Sequence, residues 1–85
     1  MRLTIKYFAS IREQIGIDQE IVHVDVSEVS LDHLRAELAS RNERMAEALA
    51  ADRHVRTAVN MEMAPGPFIL RADCEVAFFP PVTGG

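Results

Sequence analysis

Residues 2–8 are Arg2-Leu3-Thr4-Ile5-Lys6-Tyr7-Phe8, a stretch in which apolar and polar side chains mostly alternate. A period of two is typical of a half-buried β-strand. The core face of this strand would carry Leu3, Ile5 and Tyr7, and the open face Arg2, Thr4, Lys6 and Phe8. The alternation returns in residues 20–26, which predict a second strand with three valines on one face.

A short helix is predicted between these strands. Ser10 and Glu13 have the spacing of a capping box at its start, and Gly16 stands where a helix-ending glycine belongs. The connection is too short for a parallel crossover, so the two strands are predicted to pair antiparallel.

The main helix is predicted to begin at Ser30, whose side chain can cap it. Its apolar stripe consists of Leu31, Leu34 and Leu38, and its water-facing residues are predicted to be Arg35, Glu37 and Arg41. A further helical stretch covers residues 43–51.

The last third of the chain is rich in β-forming residues. Strands are predicted at residues 56–61, 68–70 and 75–79, with a forced turn at Pro65-Gly66-Pro67. The order predicts an α+β fold, most economically a β-grasp roll, in which one main helix covers a mixed sheet of about five strands. Residues 1–85 are predicted to be a single domain, with residues 80–85 as an extended C-terminal tail.

Composition excludes several classes of function. With 85 residues the core is thin, so a self-contained active site is not expected. The formal net charge of −4 argues against nucleic-acid binding, and no apolar run is long enough to cross a membrane. The single cysteine, Cys74, excludes an internal disulfide, and the sequence as a whole predicts a cytoplasmic protein.

The C-terminal tail carries the chemical signal. Pro80 and Pro81 stop the last strand and hold the backbone extended, Val82 and Thr83 are stiff, and Gly84 and Gly85 are slim. The tail is therefore a stiff base with a thin tip that ends in a carboxylate. Glycine-rich chain ends are often merely disordered, but such an end needs neither a strand nor two prolines at its base.

The tail segment Glu75-Val76-Ala77-Phe78-Phe79-Pro80-Pro81-Val82-Thr83-Gly84-Gly85 resembles the end of the MoaD family, the small sulfur-carrier subunits of molybdopterin synthases. Residues 6–13 and 58–60 are similar to the same family. One departure is Ala72-Asp73-Cys74, where the family commonly has an Asp-Gly-Asp turn.

The resemblance implies a ubiquitin-like β-grasp fold and a defined chemistry. An E1-like adenylyltransferase, using ATP and Mg, would adenylate Gly85, and a sulfur donor protein with a persulfide would convert it to a thiocarboxylate. The tail would enter the large catalytic subunit and give sulfur to cyclic pyranopterin monophosphate, which forms the molybdopterin dithiolene. Two carriers would flank a dimer of large subunits. The chain would bind no cofactor itself and would have no activity alone.

Phe8 and Phe79 are predicted to share the open face of the sheet, beside the base of the tail. An exposed aromatic pair indicates a partner surface, although a helix or loop that covers the pair is the alternative. The three histidines do not have the spacing of a metal site, so no metal is predicted, and Cys74 is interpreted as a spectator thiol.

Three other functions remain open from the sequence. The first is another ubiquitin-like sulfur carrier, such as that of thiamine-thiazole synthesis, which is usually shorter and lacks the Phe-Phe-Pro-Pro run. The second is a protein modifier conjugated through the same tail, although Lys6 is the only lysine available for chain formation. The third is an interaction module with no chemistry at its tail.

Overall fold

The protein alternates short strands with three helices along the chain. The structure is a computed structural model and describes residues 1–81. In chain order the elements are β1 (Arg2–Tyr7), α1 (Ala9–Ile15), β2 (Gln19–His23), β3 (Val29–Ser30), α2 (Leu31–Ala39), α3 (Glu43–Leu49), β4 (Arg56–Val59), β5 (Glu62–Met63), β6 (Ile69–Leu70) and β7 (Cys74–Phe79).

Five of the strands form one mixed sheet in the order β2-β1-β7-β4-β5. β1 pairs antiparallel with β2, as the sequence predicts, and parallel with β7, so the first and last strands of the chain are neighbours. β4 pairs antiparallel with both β7 and β5. β7 is therefore the central strand and has a hydrogen-bonded neighbour on each side.

The helices pack on one face of this sheet and bury its apolar set. Leu3, Ile5 and Tyr7 are at most 1% exposed, and they share one core cluster with Val76 and Phe78 of β7. The same cluster takes the apolar stripe of the main helix, namely Leu31, Leu34 and Leu38. The predicted core faces of β1 and α2 are confirmed.

The caps of the helices agree with the sequence in part. The Ser30 hydroxyl accepts a hydrogen bond of 3.0 Å from the backbone N–H of His33, and Gly16 ends α1 with a φ of 93°. The capping box of α1 was a wrong prediction, because the helix begins at Ala9 and its N-cap is Phe8. The Phe8 N–H bonds to the Phe78 carbonyl, which keeps Phe8 extended beside β7 and leaves Ser10 inside the first turn.

Several boundaries differ from the sequence prediction. β2 ends at His23, and the last hydrogen bond beside it runs from the terminal ammonium of Met1 to the Val24 carbonyl. Val26 therefore lies outside the strand and is 52% exposed. β3 and β5 were not predicted, because each has only two residues. β3 depends on pairing with β6, which is distant in sequence, and β5 depends on pairing with β4 across a tight turn.

Arg35 does not face water as predicted. It is half-buried, and its guanidinium donates hydrogen bonds to the carbonyls of Leu49, Ala50 and Arg53 at 2.6–2.8 Å. Two of these carbonyls lie at the end of α3, so Arg35 satisfies the groups that the helix itself leaves unpaired. The backbone leaves the helical conformation at Ala50, where ψ is 148°, so α3 ends at Leu49 and not at residue 51. Within residues 1–81, no helix is long and apolar enough to span a bilayer.

Candidate functional site

The base of the predicted tail is the end of the central strand β7. Val76, Ala77 and Phe78 are buried, Phe79 and Pro80 are half-buried, and Pro81 is exposed. A strand that is paired on both edges and buried in its middle gives the residues that follow it a fixed origin and direction. The predicted site residues Val82, Thr83, Gly84 and Gly85 lie outside the described residues.

The sheet face opposite the helices is defined by the strand registers, and we call it the open face. Side chains alternate across a sheet, so partners of Thr4 and Lys6 share their face. Ala77 pairs with Lys6 on one side and with Ala58 on the other. Both alanines are 8% exposed, yet neither belongs to the core cluster on the helix side. The open face comprises Gln19, Ile21, His23, Arg2, Thr4, Lys6, Glu75, Ala77, Phe79, Arg56, Ala58 and Met63, with Phe8 at the end of β1.

Phe8 and Phe79 occupy the tail end of the open face. The parallel register pairs Tyr7 with Phe78, and Phe8, which is extended and bonded to the Phe78 carbonyl, continues that register next to Phe79. Phe8 is 43% exposed, so neither a helix nor a loop covers it. Phe79 is half-buried, and Ile21 and Met63 are further exposed apolar side chains on the same face. The structure thus brings the two predicted phenylalanines together at the tail end of the open face, with Phe8 exposed and Phe79 half-buried.

Among the described residues of the open face, the charge of Lys6 is neutralised by an ion pair and that of Arg56 is not. The Lys6 ammonium lies 2.8 Å from the Glu75 carboxylate, which neutralises both groups. Arg56 is exposed and lies opposite Phe79 in the β4–β7 ladder. It was not among the residues predicted for the site. Strand parity with Ala58 could have placed it on the open face, but only once β4 is known to lie next to β7.

A hollow of about 300 Å³ flanks the tail base. Pro80 forms part of its wall, together with Ser10, Ile11 and Gln14 of α1, Ala48 of α3 and residues 52–55. Its lining contains one acid, Asp52, beside the bases Arg53 and His54.

Cys74 lies away from the tail base, whereas His54 is part of the wall of the hollow beside Pro80. Cys74 is the first residue of β7, at the opposite end of the strand from Pro80. Burial, with a smaller contribution from Asp73, raises the pKa of its thiol, which makes it a poorer nucleophile. The His33 ring lies 3.0 Å from Glu37 on the same helix. Within residues 1–81, no group of three or more His, Cys, Asp or Glu side chains could hold a metal ion.

Comparison with known proteins identifies relatives along nearly the whole chain. The model of the ThiS family matches residues 5–85. The molybdopterin synthase sulfur carrier subunit of Escherichia coli is 39% identical over 98% of this chain and 99% of its own, and that of Haemophilus influenzae is 32% identical over the same shares. Among solved structures, SAMP1 from Haloferax volcanii superposes with a TM-score of 0.79 at 26% identity, over all of both chains. The β-grasp fold class predicted from the sequence is confirmed by this likeness.

Proposed function

This chain belongs to the ThiS family, and from that premise we propose that it is the sulfur-carrier subunit of a molybdopterin synthase. The observation that carries the proposal is its 39% identity, along nearly the full length of both chains, to a curated subunit of that name. The family resemblance predicted from the tail is confirmed by the same relatives. The sulfur chemistry and the partners of this chain are what the proposal adds.

The proposed chemistry takes place at the Gly85 carboxylate. A carboxylate is a poor electrophile, and transfer of an adenylyl group from ATP by an E1-like enzyme, with Mg, turns it into a mixed anhydride. The terminal sulfur of a persulfide on the donor protein attacks this anhydride and displaces AMP, which gives an acyl disulfide. A thiol then attacks the donor's sulfur in this disulfide, so that the thiocarboxylate is released and the thiol and the donor are left joined by a disulfide bond. The thiocarboxylate gives its sulfur to cyclic pyranopterin monophosphate, and the carrier returns with an ordinary carboxylate.

The catalytic side chains in this scheme belong to the large subunit, and the carrier supplies a reactive terminus and a docking surface. Phe8, Phe79, Pro80 and Pro81 are the contact residues at the tail base, while Val82, Thr83 and Gly84 occupy the channel that leads to the pterin. The support from the described residues is the central strand β7, which ends at the aromatic patch, namely the exposed Phe8 and the half-buried Phe79. Such a base lets a fixed length of tail reach one fixed point in the partner.

The test of this proposal is an intact-mass measurement. The chain is incubated with the activating enzyme, ATP, Mg and a persulfide donor. The expected product is heavier than the unmodified chain by the mass difference between one sulfur atom and one oxygen atom. Deletion of Gly85, or addition of one residue after it, should abolish the mass shift while the far-ultraviolet circular dichroism stays the same. A thiocarboxylate on the chain that lacks Gly85 would contradict the proposal.

A second candidate, a protein modifier, is favoured by the likeness to SAMP1, a name that stands for small archaeal modifier protein 1. In that role the activated Gly85 would acylate lysine amines and form isopeptide bonds. The two functions differ in their products. The carrier yields a dithiolene when its thiocarboxylate form is mixed with the large subunit and the pterin precursor. The modifier yields a series of conjugates to unrelated proteins in cell extract and no dithiolene.

A further inference from the structure

Arg56 is an exposed cation at the point where the tail leaves the fold. It is the first residue of β4 and the antiparallel partner of Phe79. Because cross-strand partners share a face, its side chain rises from the open face beside the aromatic patch. Among the described residues, ion pairs with N–O distances of at most 4.0 Å form at Lys6, His33, Arg41 and Arg71. No carboxylate of the described residues lies that close to the Arg56 guanidinium.

The other cations of the open face differ from Arg56. Lys6 is neutralised by Glu75, as described above. Arg2 lies at the far end of β1, opposite His23, and its backbone N–H donates to the Asp73 carboxylate at 2.7 Å. The tail end of the open face is therefore locally cationic through Arg56, on a chain whose formal net charge is −4.

We propose that Arg56 forms an ion pair with a carboxylate on the large subunit, at the rim of the apolar site that receives Phe8 and Phe79. The partner surface would then have an apolar centre and an acidic rim beside the channel for the tail. A guanidinium can bind a carboxylate through two parallel hydrogen bonds, and a neighbouring aromatic patch that excludes water strengthens such a pair. This inference rests on the proposed function, because it names a feature of that same partner.

Binding of the carrier to the large subunit from the same organism, measured by isothermal titration calorimetry at low and high salt, tests the inference. The variants are Arg56→Glu, Arg56→Gln and Arg56→Lys, with Arg2→Glu as the matched control on the same face. We expect Arg56→Glu to weaken binding by about tenfold or more, Arg56→Lys to be affected least of the three, and Arg2→Glu to stay within about twofold of the wild type. The loss caused by Arg56→Gln should be larger at low salt than at high salt, because screening weakens ion pairs at a rim.

Thermal unfolding of each variant verifies that the fold is intact. Equal affinities for Arg56→Glu and Arg2→Glu at both salt concentrations would overturn the inference, and so would a wild-type carrier that does not bind the large subunit. A separate assay of dithiolene formation by the wild-type thiocarboxylate tests the proposed function alone. Product from the wild type together with unchanged binding by Arg56→Glu removes the inference and leaves the proposed function intact.

Discussion

The Tyr7 hydroxyl donates a hydrogen bond of 2.8 Å to the Glu20 carboxylate. Glu20 also pairs with the Arg41 guanidinium, so this contact joins β1, β2 and the segment after α2. The Tyr7 ring is stacked on Phe78, with ring centroids 6.2 Å apart. One hydroxyl thus connects the core next to the tail-bearing strand with a charged pair near the edge of the sheet.

This contact predicts an alkaline limit to stability. Burial, followed by the hydrogen bond and the charge of Glu20, raises the pKa of the Tyr7 phenol well above its usual value. The pKa of the Tyr7 phenol in the folded protein exceeds its value of about 10 in the unfolded chain. The stabilisation of the folded state by the protonated phenol is therefore complete below a pH of about 10 and is lost progressively as the pH rises toward the folded pKa. Tyr7→Phe should lose about 0.5–1.5 kcal/mol at neutral pH, and its stability should fall less steeply than that of the wild type above pH of about 10.

The tyrosinate absorbance provides a direct measurement, because the chain has one tyrosine and no tryptophan. In the folded protein the absorbance should rise only where unfolding begins, whereas in denaturant it should rise near the ordinary phenol pKa. A folded protein that ionises Tyr7 at the ordinary pKa would contradict this prediction.

The sequence predicts those parts of the fold in which local pattern and tertiary environment agree. The alternation of β1 and the leucine stripe of α2 each match the face that is buried. Ser30 and Gly16 follow local capping rules that need no distant partner. The two phenylalanines of the candidate site were found in the same way, because strand parity alone separates Phe8 from Tyr7 and Phe79 from Phe78.

What the sequence did not predict depends on contacts between distant segments. Arg35 looks like a surface residue in the helical pattern, and only the docking of α3 brings the three carbonyls within its reach. Arg56 became a candidate only when β4 was found beside β7. Ser10 failed as a cap because Phe8 continues the β1–β7 pairing by one more hydrogen bond, which moves the start of the helix.

Arg35 should be worth more to stability than an exposed arginine. Arg35→Ala removes the guanidinium donor from the carbonyls of Leu49 and Arg53 and leaves the Ala50 carbonyl with the Arg53 N–H alone, and we expect a loss of about 2 kcal/mol in the free energy of unfolding. Arg35→Lys should recover part of this loss, since an ammonium can reach one carbonyl but lacks the planar fork. Arg44→Ala on the exposed side of α3 serves as a control and should change stability by less than about 0.5 kcal/mol. Urea denaturation measures all three, and equal losses for Arg35→Ala and Arg44→Ala would argue against the capping role.

The hairpin between β4 and β5 should become more stable when Met61 is replaced by glycine. Its two-residue turn has φ angles of 49° at Asn60 and 68° at Met61, and Met61 is 88% exposed. Asn-Gly is the preferred pair for a turn in which both residues have positive φ. Met61→Gly should therefore raise the free energy of unfolding by about 0.5–1 kcal/mol. Glycine has no Cβ and is not strained at a positive φ, and this gain exceeds the backbone entropy that glycine loses on folding. Met61→Ala keeps the Cβ and should show no such gain, and a Met61→Gly protein that is less stable than Met61→Ala would contradict this account.

Phe8→Asp and Phe79→Asp should each weaken binding of the large subunit by at least about tenfold, because burial of each aromatic side chain contributes roughly 1.5–3 kcal/mol. Position 8 suits this test, since residue 8 is the N-cap of α1 and its side chain makes no capping hydrogen bond. Aspartate is a good N-cap residue, so Phe8→Asp should lose binding without loss of stability.

Phe68→Asp is the matched control: Phe68 is 41% exposed, close to the 43% of Phe8, but it precedes β6 and lies outside the open face. Co-purification and calorimetry with the large subunit measure the outcome. If Phe8→Asp and Phe79→Asp both bind like the wild type while Phe68→Asp does not, the docking surface lies beside β6 rather than on the open face.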